Sequence, residues 1–281
     1  MQFFIGSLAL TLPDLQENIR LQQFDEVFLR PVLPVTKQVT VQIEPVMAVQ
    51  IPEAAVQIDV NLKAWEEAGR MCRAYRDRNG WSCVSRRTED SVVIQVSKAY
   101  WEDFQKSFRP WFHVHLEEYC LENHAVILHS ASIEYRGKGI LFTAPSGTGK
   151  TTQTDLWHQY LKGVTDINAD RTLLQKTKQG WYACGFPLYG SVLRCEQKAK
   201  PIKAIIILRQ GKENRVEELS PAEKVSMLYS ESTVPSTREY VSLAFNLLSD
   251  LIQEVKVIRY VCNMEKDAVQ VLHRYLYGDR E

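Results

Sequence analysis

The sequence lacks an excess of charge of either sign. Lysine plus arginine and aspartate plus glutamate number 34 each, so the formal net charge at pH 7 is +0. Proteins that bind nucleic acid or an anionic membrane usually depend on clustered basic residues, which attract phosphate groups. We therefore expect no nucleic-acid partner and no membrane partner, although the composition allows local basic patches.

Paired cysteines are also absent from the sequence. The six cysteines are scattered along the chain, and no two of them form a C-x-x-C pair. This spacing indicates neither a zinc knuckle nor a dense disulfide framework. Reduced thiols in a cytoplasmic protein fit the pattern best.

Long apolar segments are missing as well. The strongest apolar run is Ala204–Leu208, whereas a helix that crosses a bilayer needs about 18 to 20 apolar residues. Residues 1–10 are apolar but lack a basic flank and a small-residue cleavage site, so we interpret them as a strand rather than a signal peptide. These absences predict a soluble, cytoplasmic protein.

A chain of 281 residues is long enough for one large domain or two unequal ones. Short segments of alternating apolar residues occupy the first part, for example at 39–43, 56–60 and 91–96. Recurrent prolines there argue against a long helix. We predict a β-rich N-terminal region over residues 1–105, of unidentified role, and a second domain over residues 106–281.

The second domain alternates between helical and strand patterns. Apolar residues three to four positions apart predict helices, and continuous apolar runs predict buried strands. The predicted helices cover residues 108–123, 150–162, 237–253 and 265–277, and a further helix begins after Ser220. The predicted strands cover residues 125–133, 139–143, 163–170, 172–176, 181–185, 203–208 and 255–261. This order predicts the α/β (α+β) fold class.

The segment Ala144–Thr152 carries the most informative pattern in the chain. Its sequence, A-P-S-G-T-G-K-T-T, lies between the strand pattern Gly139–Thr143 and a helix that begins at Lys150. Free N–H groups and the positive end of the dipole make the start of such a helix an anion site. Ala144 replaces the glycine that usually begins a phosphate-binding loop, at a position that a small residue can occupy.

The individual loop residues suggest how a nucleotide would be held. Gly147 and Gly149 allow the backbone to approach a phosphate, Lys150 would reach the β- and γ-phosphates, and Thr151 would offer its hydroxyl to Mg²⁺. The predicted nucleotide-binding residues are Ser146, Gly147, Thr148, Gly149, Lys150, Thr151 and Thr152. A glycine-rich turn without a ligand is the alternative interpretation of this segment.

Two further residues are candidates for chemistry beside this loop. Asp170 ends the segment Thr165–Asp170, where it could act as a metal-side carboxylate or a general base, or belong to an ordinary surface turn. His129 lies in a predicted strand, where a lone histidine is more often structural than catalytic. The remaining histidines near it, at 113, 115 and 124, match no closed zinc site, so we interpret them as structural.

The run His129–Thr152, followed by Asp170, resembles the catalytic domain of bacterial HPr kinase/phosphorylase. The core Ser146–Thr152 is also similar to ATP-dependent phosphoenolpyruvate carboxykinase, which shares that fold. The resemblance covers about residues 108–280 and is most specific around the loop. It looks closest to small HPr-kinase-like proteins found beside peptide-modification systems, including kinases of lasso-peptide precursors. It implies a phosphoenolpyruvate carboxykinase-like P-loop core behind the β-rich N-terminal region.

The resemblance also implies roles for individual residues. Lys150 and Thr151 match the family's phosphate and Mg²⁺ positions, and Thr151 and Asp170 would hold the metal. Asp170 also matches the proposed general base, and His129 matches a strand histidine near the transferred phosphate.

Three departures from the family pattern matter. Arg171 replaces a second aspartate and Thr152 replaces a glutamate. These two losses leave the second metal contact and the reverse phosphorolysis open. No glycine-rich second motif is found, so Tyr182–Gly190 is our candidate for the substrate-side loop, with Cys184 packed rather than reactive.

The function implied by the resemblance is an ATP-dependent kinase with ATP and Mg²⁺ as cofactors. Such an enzyme would transfer the γ-phosphoryl group to a hydroxyl, with serine of a peptide or small protein as the expected acceptor. Two alternatives stay open, namely a nucleotide-binding regulator or peptide-binding protein without turnover, and a carboxykinase-type metabolic enzyme. For the last, no additional metal ligands can be located. A homo-oligomer is compatible with the sequence.

Overall fold

The computed structural model describes residues 1–12, 25–78, 80–107, 113–187 and 194–278. The chain divides into two compact units, Met1–Leu116 and Glu117–Glu281. The boundary expected from the sequence, after residue 105, lies close to this division. Both units combine β-sheet with helix, so the protein is a mixed α/β structure.

The first unit is built on one mixed sheet. Among its described residues, eight strands pair in the order β1-β2-β3-β8-β7-β6-β5-β4. They are β1 (Gln2–Ile5), β2 (Leu8–Thr11), β3 (Lys37–Val46), β4 (Val56–Asp59), β5 (Leu62–Glu67), β6 (Arg70–Asp77), β7 (Gly80–Arg87) and β8 (Ser91–Ser97). A short helix, α1 (Trp101–Ser107), follows them. The β-rich character predicted for this region is therefore present.

The alternating pattern of the first unit reflects a sheet with one better-covered face. On β3, Val39 and Val41 are buried, whereas Gln38, Thr40 and Gln42 are exposed. β8 pairs with β3 in parallel and buries Val92, Ile94 and Val96 in the same alternation. Because successive side chains of a strand point to opposite faces, this periodicity places the valines and isoleucine in the core.

The second unit contains nine strands and five helices among its described residues. The strands are β9 (Ala125–Tyr135), β10 (Lys138–Thr143), β11 (Thr165–Asn168), β12 (Arg171–Thr177), β13 (Gly180–Cys184), β14 (Ala199–Gln210), β15 (Arg215–Glu217), β16 (Ser232–Thr233) and β17 (Lys256–Cys262). The helices are α2 (Leu116–Glu122), which begins at the unit boundary, α3 (Lys150–Tyr160), α4 (Pro221–Ser230), α5 (Arg238–Glu254) and α6 (Lys266–Tyr277).

Helices cover both faces of the central strands of this unit. On one face, Phe142 of β10 and Ile206 of β14 pack with α3 and α6. On the other face, Leu141 of β10 and Ile205 of β14 pack with α4 and α5. The continuous apolar run in β14 is therefore explained by burial on both faces, as expected for a strand with parallel neighbours.

The long strand β9 changes partners halfway along its length. Its first half pairs with β12, ending at the pair His129–Arg171, and its second half pairs with β10, beginning at the pair Ser130–Thr143. β16 also pairs with the first half of β9, and β11 also pairs with its second half. The two residues at this change of partner therefore lie next to the end of β10 and the beginning of β12.

Most predicted elements are present, with shifted ends, and two predictions need comment. The helix predicted over 108–123 corresponds to α2, which begins only at Leu116. His115, just before it, has a positive φ of 51°. Residues 108–112 lie outside the described residues. The helix predicted after Ser220 begins at Pro221 with the expected capping box to Glu223. No helix among the described residues is long and apolar enough to span a membrane.

Candidate functional site

Two neighbouring residues of β9 connect three separate segments of the second unit. The backbone N–H of His129 donates to the carbonyl of Glu231 at 2.8 Å, and that of Ser130 donates to the carbonyl of Asp170 at 2.9 Å. The Thr143 hydroxyl donates to the carbonyl of His129 at 2.9 Å. The ends of β10 and α4 and the beginning of β12 are therefore held at one point.

The loop between β10 and α3 leaves this point and has the backbone that its glycines predict. Gly147 and Gly149 have φ values of 80° and 108°, in the left-handed region that favours glycine. Ala144 is buried and is not among the residues with positive φ, so its backbone does not require glycine. This explains why alanine can replace the first glycine of the motif.

Lys150, the first residue of α3, is a buried cation without a carboxylate beside it. Its side chain is 8% exposed, and its Nζ donates to the carbonyl of Ala144 at 2.8 Å. Burial lowers the pKa of Lys150, while the carboxylates of Glu231 and Asp170 act against this. No described carboxylate lies within 4.0 Å of Nζ to form an ion pair. A buried charge with so little compensation is unfavourable, and an anion bound at the loop would relieve it.

Asp170 is presented by a turn that a buried asparagine organises. The Asn168 side-chain oxygen accepts hydrogen bonds from the backbone N–H groups of Asp170 at 2.9 Å and of Arg171 at 3.0 Å. The Asn168 amide donates to the carbonyl of Phe186 at 2.8 Å, which fixes its orientation. Asp170 therefore lies in a turn of the kind that Asn and Asp favour, and it is also the candidate functional residue.

His129 lies between two carboxylates. Its Nδ1 is 3.0 Å from Oε2 of Glu231, and its Nε2 is 3.5 Å from Oδ1 of Asp170. The first distance is a good hydrogen bond, which places a proton on Nδ1. The second distance is longer than a usual hydrogen bond but still close to van der Waals contact, so the imidazole and Asp170 are direct neighbours. Glu231 was not predicted from the sequence, because it lies 102 positions from His129 and belongs to no motif.

Arg171 and Thr152, the two departures from the HPr kinase pattern, have different environments. Nε of Arg171 lies 3.7 Å from Asp170, and its Nη1 donates to the Thr233 hydroxyl at 2.8 Å. Arg171 therefore adds a cation beside Asp170. Thr152 is half-buried in the first turn of α3. Glu231, which follows the end of α4, places a carboxylate beside His129.

Mg²⁺ would find few ligands from the protein alone. Among the residues that the structure describes, no group of three His, Cys, Asp or Glu side chains could hold a metal ion. The Thr151 hydroxyl makes no hydrogen bond within the described part of the chain. Mg²⁺ commonly binds through one or two protein groups plus phosphate oxygens and water. The free hydroxyl of Thr151 and the carboxylate of Asp170 fit that pattern.

Other candidates lie apart from this arrangement. Asp166 binds Nε2 of His158 at 2.9 Å, on the outer part of α3. In the first unit, His115 is hydrogen-bonded to Ser85 at 2.8 Å, and burial lowers the pKa of His113 to about 4. Cys184 is fully buried, as predicted. The described part of the proposed substrate-side loop is Tyr182–Pro187; its remainder, 188–190, lies outside the described residues.

Comparison with known proteins identifies one family. A search of curated proteins returned no match. The family model described as SynChlorMet cassette protein ScmC matches residues 111–269. That range is more than half of the chain and includes His129, the loop, Asp170 and Glu231. The chain therefore belongs to the SynChlorMet cassette protein ScmC family.

Proposed function

We propose that this protein is an ATP- and Mg²⁺-dependent kinase that phosphorylates a hydroxyl, with serine of a peptide or small protein as the acceptor. Its second unit would be a phosphoenolpyruvate carboxykinase-like P-loop core of the HPr kinase type. The observation that carries the proposal is the buried ammonium of Lys150 at the beginning of a helix, with the carboxylates of Glu231 and Asp170 near enough to raise its pKa. Strand, glycine turn and helix together form an anion site beside titratable groups.

Different residues would bind the nucleotide and transfer the proton. Lys150 and the loop N–H groups would bind phosphate, and Thr151 and Asp170 would hold Mg²⁺. Bound MgATP would supply the γ-phosphoryl group. Asp170 would take the proton of the acceptor hydroxyl, and His129, whose Nε2 lies 3.5 Å from Oδ1 of Asp170, would lie beside the transferred phosphate. Positioning and charge neutralisation would supply most of the rate.

A nucleotide-binding regulator without turnover is the second candidate. It is favoured by the ion pair of 3.7 Å between Arg171 and Asp170, because a cation beside a carboxylate weakens it as a base. Both candidates require the loop, so ATP binding alone does not separate them. Phosphoryl transfer does.

Nucleotide binding is tested through Lys150. We expect Lys150→Ala to weaken MgATP binding by at least about tenfold, or 1.4 kcal/mol, because the anion loses its buried counter-charge. Isothermal titration calorimetry measures the MgATP affinity. The control is Lys178→Ala, at an exposed lysine outside the loop. Unchanged affinity in Lys150→Ala would remove the proposed phosphate site.

Transfer is tested through Asp170. We expect Asp170→Asn to keep most of the nucleotide affinity and to lower transfer by on the order of 10²-fold, the usual loss for a general base. The assay uses labelled ATP and the peptides or carrier proteins encoded in the same cassette, with mass spectrometry of the product. Asp166→Asn, whose carboxylate binds His158, is the matched control. Wild-type turnover in Asp170→Asn contradicts the assignment, and tight ATP binding without any acceptor favours the regulator.

A further inference from the structure

A basic groove lies in the second unit at the opposite end of α3 from Lys150. It has a volume of ≈ 910 Å³, and its lining includes Tyr135 and Arg136 from the β9–β10 turn and residues 160–163 from the end of α3. Residues of α6 complete it. Since α3 has 11 residues, and a helix rises about 1.5 Å per residue, the groove is about 15 Å from the phosphate-binding loop. It is a separate site.

The lining is strongly positive. Among the described residues, the lining contains four cationic side chains, Arg136, Lys162, Lys266 and Arg274, and no aspartate or glutamate. Within the described part of the chain, no carboxylate lies within 4.0 Å of Arg136, Lys162 or Lys266. The zero net charge of the whole protein thus conceals a local basic patch, which attracts anionic ligands.

Aromatic rings lie beside two of these cations, Arg136 and Lys266. The guanidinium of Arg136 lies 5.2 Å from the ring centre of Tyr135 and 5.5 Å from that of Tyr277. Nζ of Lys266 lies 5.7 Å from the ring centre of Tyr160. These cation–π contacts orient the cations without neutralising them. Burial and the charge of Arg136 lower the pKa of His273, so this residue adds little positive charge at neutral pH.

The length of the groove indicates the shape of the ligand. Its lining follows α6 from Lys266 to Gly278, about 18 Å along the helix axis. A single phosphate group is too small to fill that length, whereas an extended peptide covers it with about five or six residues. The Tyr160 ring, 37% exposed, offers a face to an apolar side chain.

We propose that this groove binds an acidic peptide segment of a partner protein or peptide. Carboxylates of the segment would pair with Arg136, Lys162 and Lys266, and an apolar residue would pack on Tyr160. The proposal does not depend on phosphoryl transfer, because it concerns binding at a site remote from the loop.

Fluorescence anisotropy with a fluorescein-labelled oligoglutamate peptide that contains one central phenylalanine tests the proposal. We expect the double variant Lys162→Glu/Lys266→Glu to weaken binding by about tenfold or more at low salt, and Lys162→Gln/Lys266→Gln to weaken it less, because the loss follows charge. The control Lys178→Glu/Lys212→Glu makes the same change of net charge at exposed lysines outside the groove, and it should bind as the wild type does.

Three outcomes would overturn the proposal. They are the absence of peptide binding to the wild type, equal weakening in the control variant, and tighter binding of a labelled oligouridylate than of the peptide, which would indicate nucleic acid instead. Circular dichroism of each variant separates loss of the groove from loss of the fold. Since none of these measurements uses ATP, failure here is distinguishable from failure of the proposed kinase activity.

Discussion

At the scale of single residues, Glu231 is the residue whose role the structure changes most. Its carboxylate is 13% exposed and accepts from Nδ1 of His129, while its backbone carbonyl accepts from the His129 N–H. Glu231 therefore makes two hydrogen bonds to His129, one to its backbone in β9 and one to its imidazole. We therefore expect Glu231 to act as a positioning residue that keeps Nε2 of His129 turned toward Asp170.

Glu231→Gln tests this role. We expect MgATP affinity to stay within about threefold of the wild type and transfer to fall by about tenfold, because the amide holds the imidazole less firmly than a carboxylate does. The loss should appear in kcat rather than in the KM for ATP, since the role proposed for Glu231 is to position His129. A purely structural role would lower stability and leave kcat of the folded protein in place.

Glu239→Gln, at an exposed position in the first turn of α5, is the matched control for Glu231→Gln. Normal transfer in Glu231→Gln contradicts the positioning role. Equal effects of the two substitutions would also contradict it.

At the scale of secondary-structure elements, a small ionic network connects β9, β11 and β14. Glu134 of β9 is 18% exposed and lies 2.7 Å from Nζ of Lys200 on β14 and 3.3 Å from Nζ of Lys198. Lys198 also donates to the Thr165 hydroxyl of β11 at 2.7 Å. The network joins strands that are distant in sequence, next to the part of β9 that pairs with β10.

This network makes stability depend on pH. Burial raises the pKa of Glu134, but the bonds from Lys200 and Lys198 outweigh it, so the pKa lies below its usual value. A carboxyl whose pKa is lowered by folding stabilises the protein above its unfolded pKa, and the contribution is lost as the pH falls through the folded pKa. We expect Glu134→Gln to lower the free energy of unfolding by about 1 to 2 kcal/mol at pH 7 and by much less at about pH 3.

Urea denaturation at the two pH values measures the effect. Glu196→Gln is the control, because Glu196 also contacts Lys198, at 2.9 Å, but is 52% exposed, where ion pairs contribute little. The same loss at both pH values would show that the effect of Glu134→Gln comes from packing rather than from charge.

At the scale of the whole molecule, the cysteines behave as packing residues. All six are free, and Cys195 is the one that is not buried. Burial raises the pKa of Cys83 and of Cys195 to about 12. Because the thiolate is the reactive form, a raised pKa makes the thiols slow to react at neutral pH.

We expect the native protein to react slowly with a thiol reagent such as DTNB and the unfolded protein to yield six thiols. A reductant should leave the midpoint of thermal unfolding unchanged, since no disulfide is present to be broken. Cys195→Ser identifies the source of any native reaction. A lower midpoint in reductant, or fast labelling that persists in Cys195→Ser, contradicts this prediction.

Much of the architecture follows from local patterns in the sequence. The apolar run of β14 predicts a strand buried on both faces, and the capping box at Ser220 predicts where α4 begins. Gly147 and Gly149 predict the left-handed turn before α3, because few other residues adopt it at low cost. These features depend on residues close in sequence, which is why they can be recognised from it.

The arrangement of the site was decided by the tertiary structure. Glu231 meets His129 only because β16 pairs with the edge of β9 opposite β12, and Asn168 orients Asp170 through a buried contact to Phe186. The basic groove likewise joins a turn, a helix end and another helix that are far apart along the chain. Such contacts arise from strand pairing and helix packing over long sequence separations, and neither periodicity nor motif spacing encodes which distant side chains will meet.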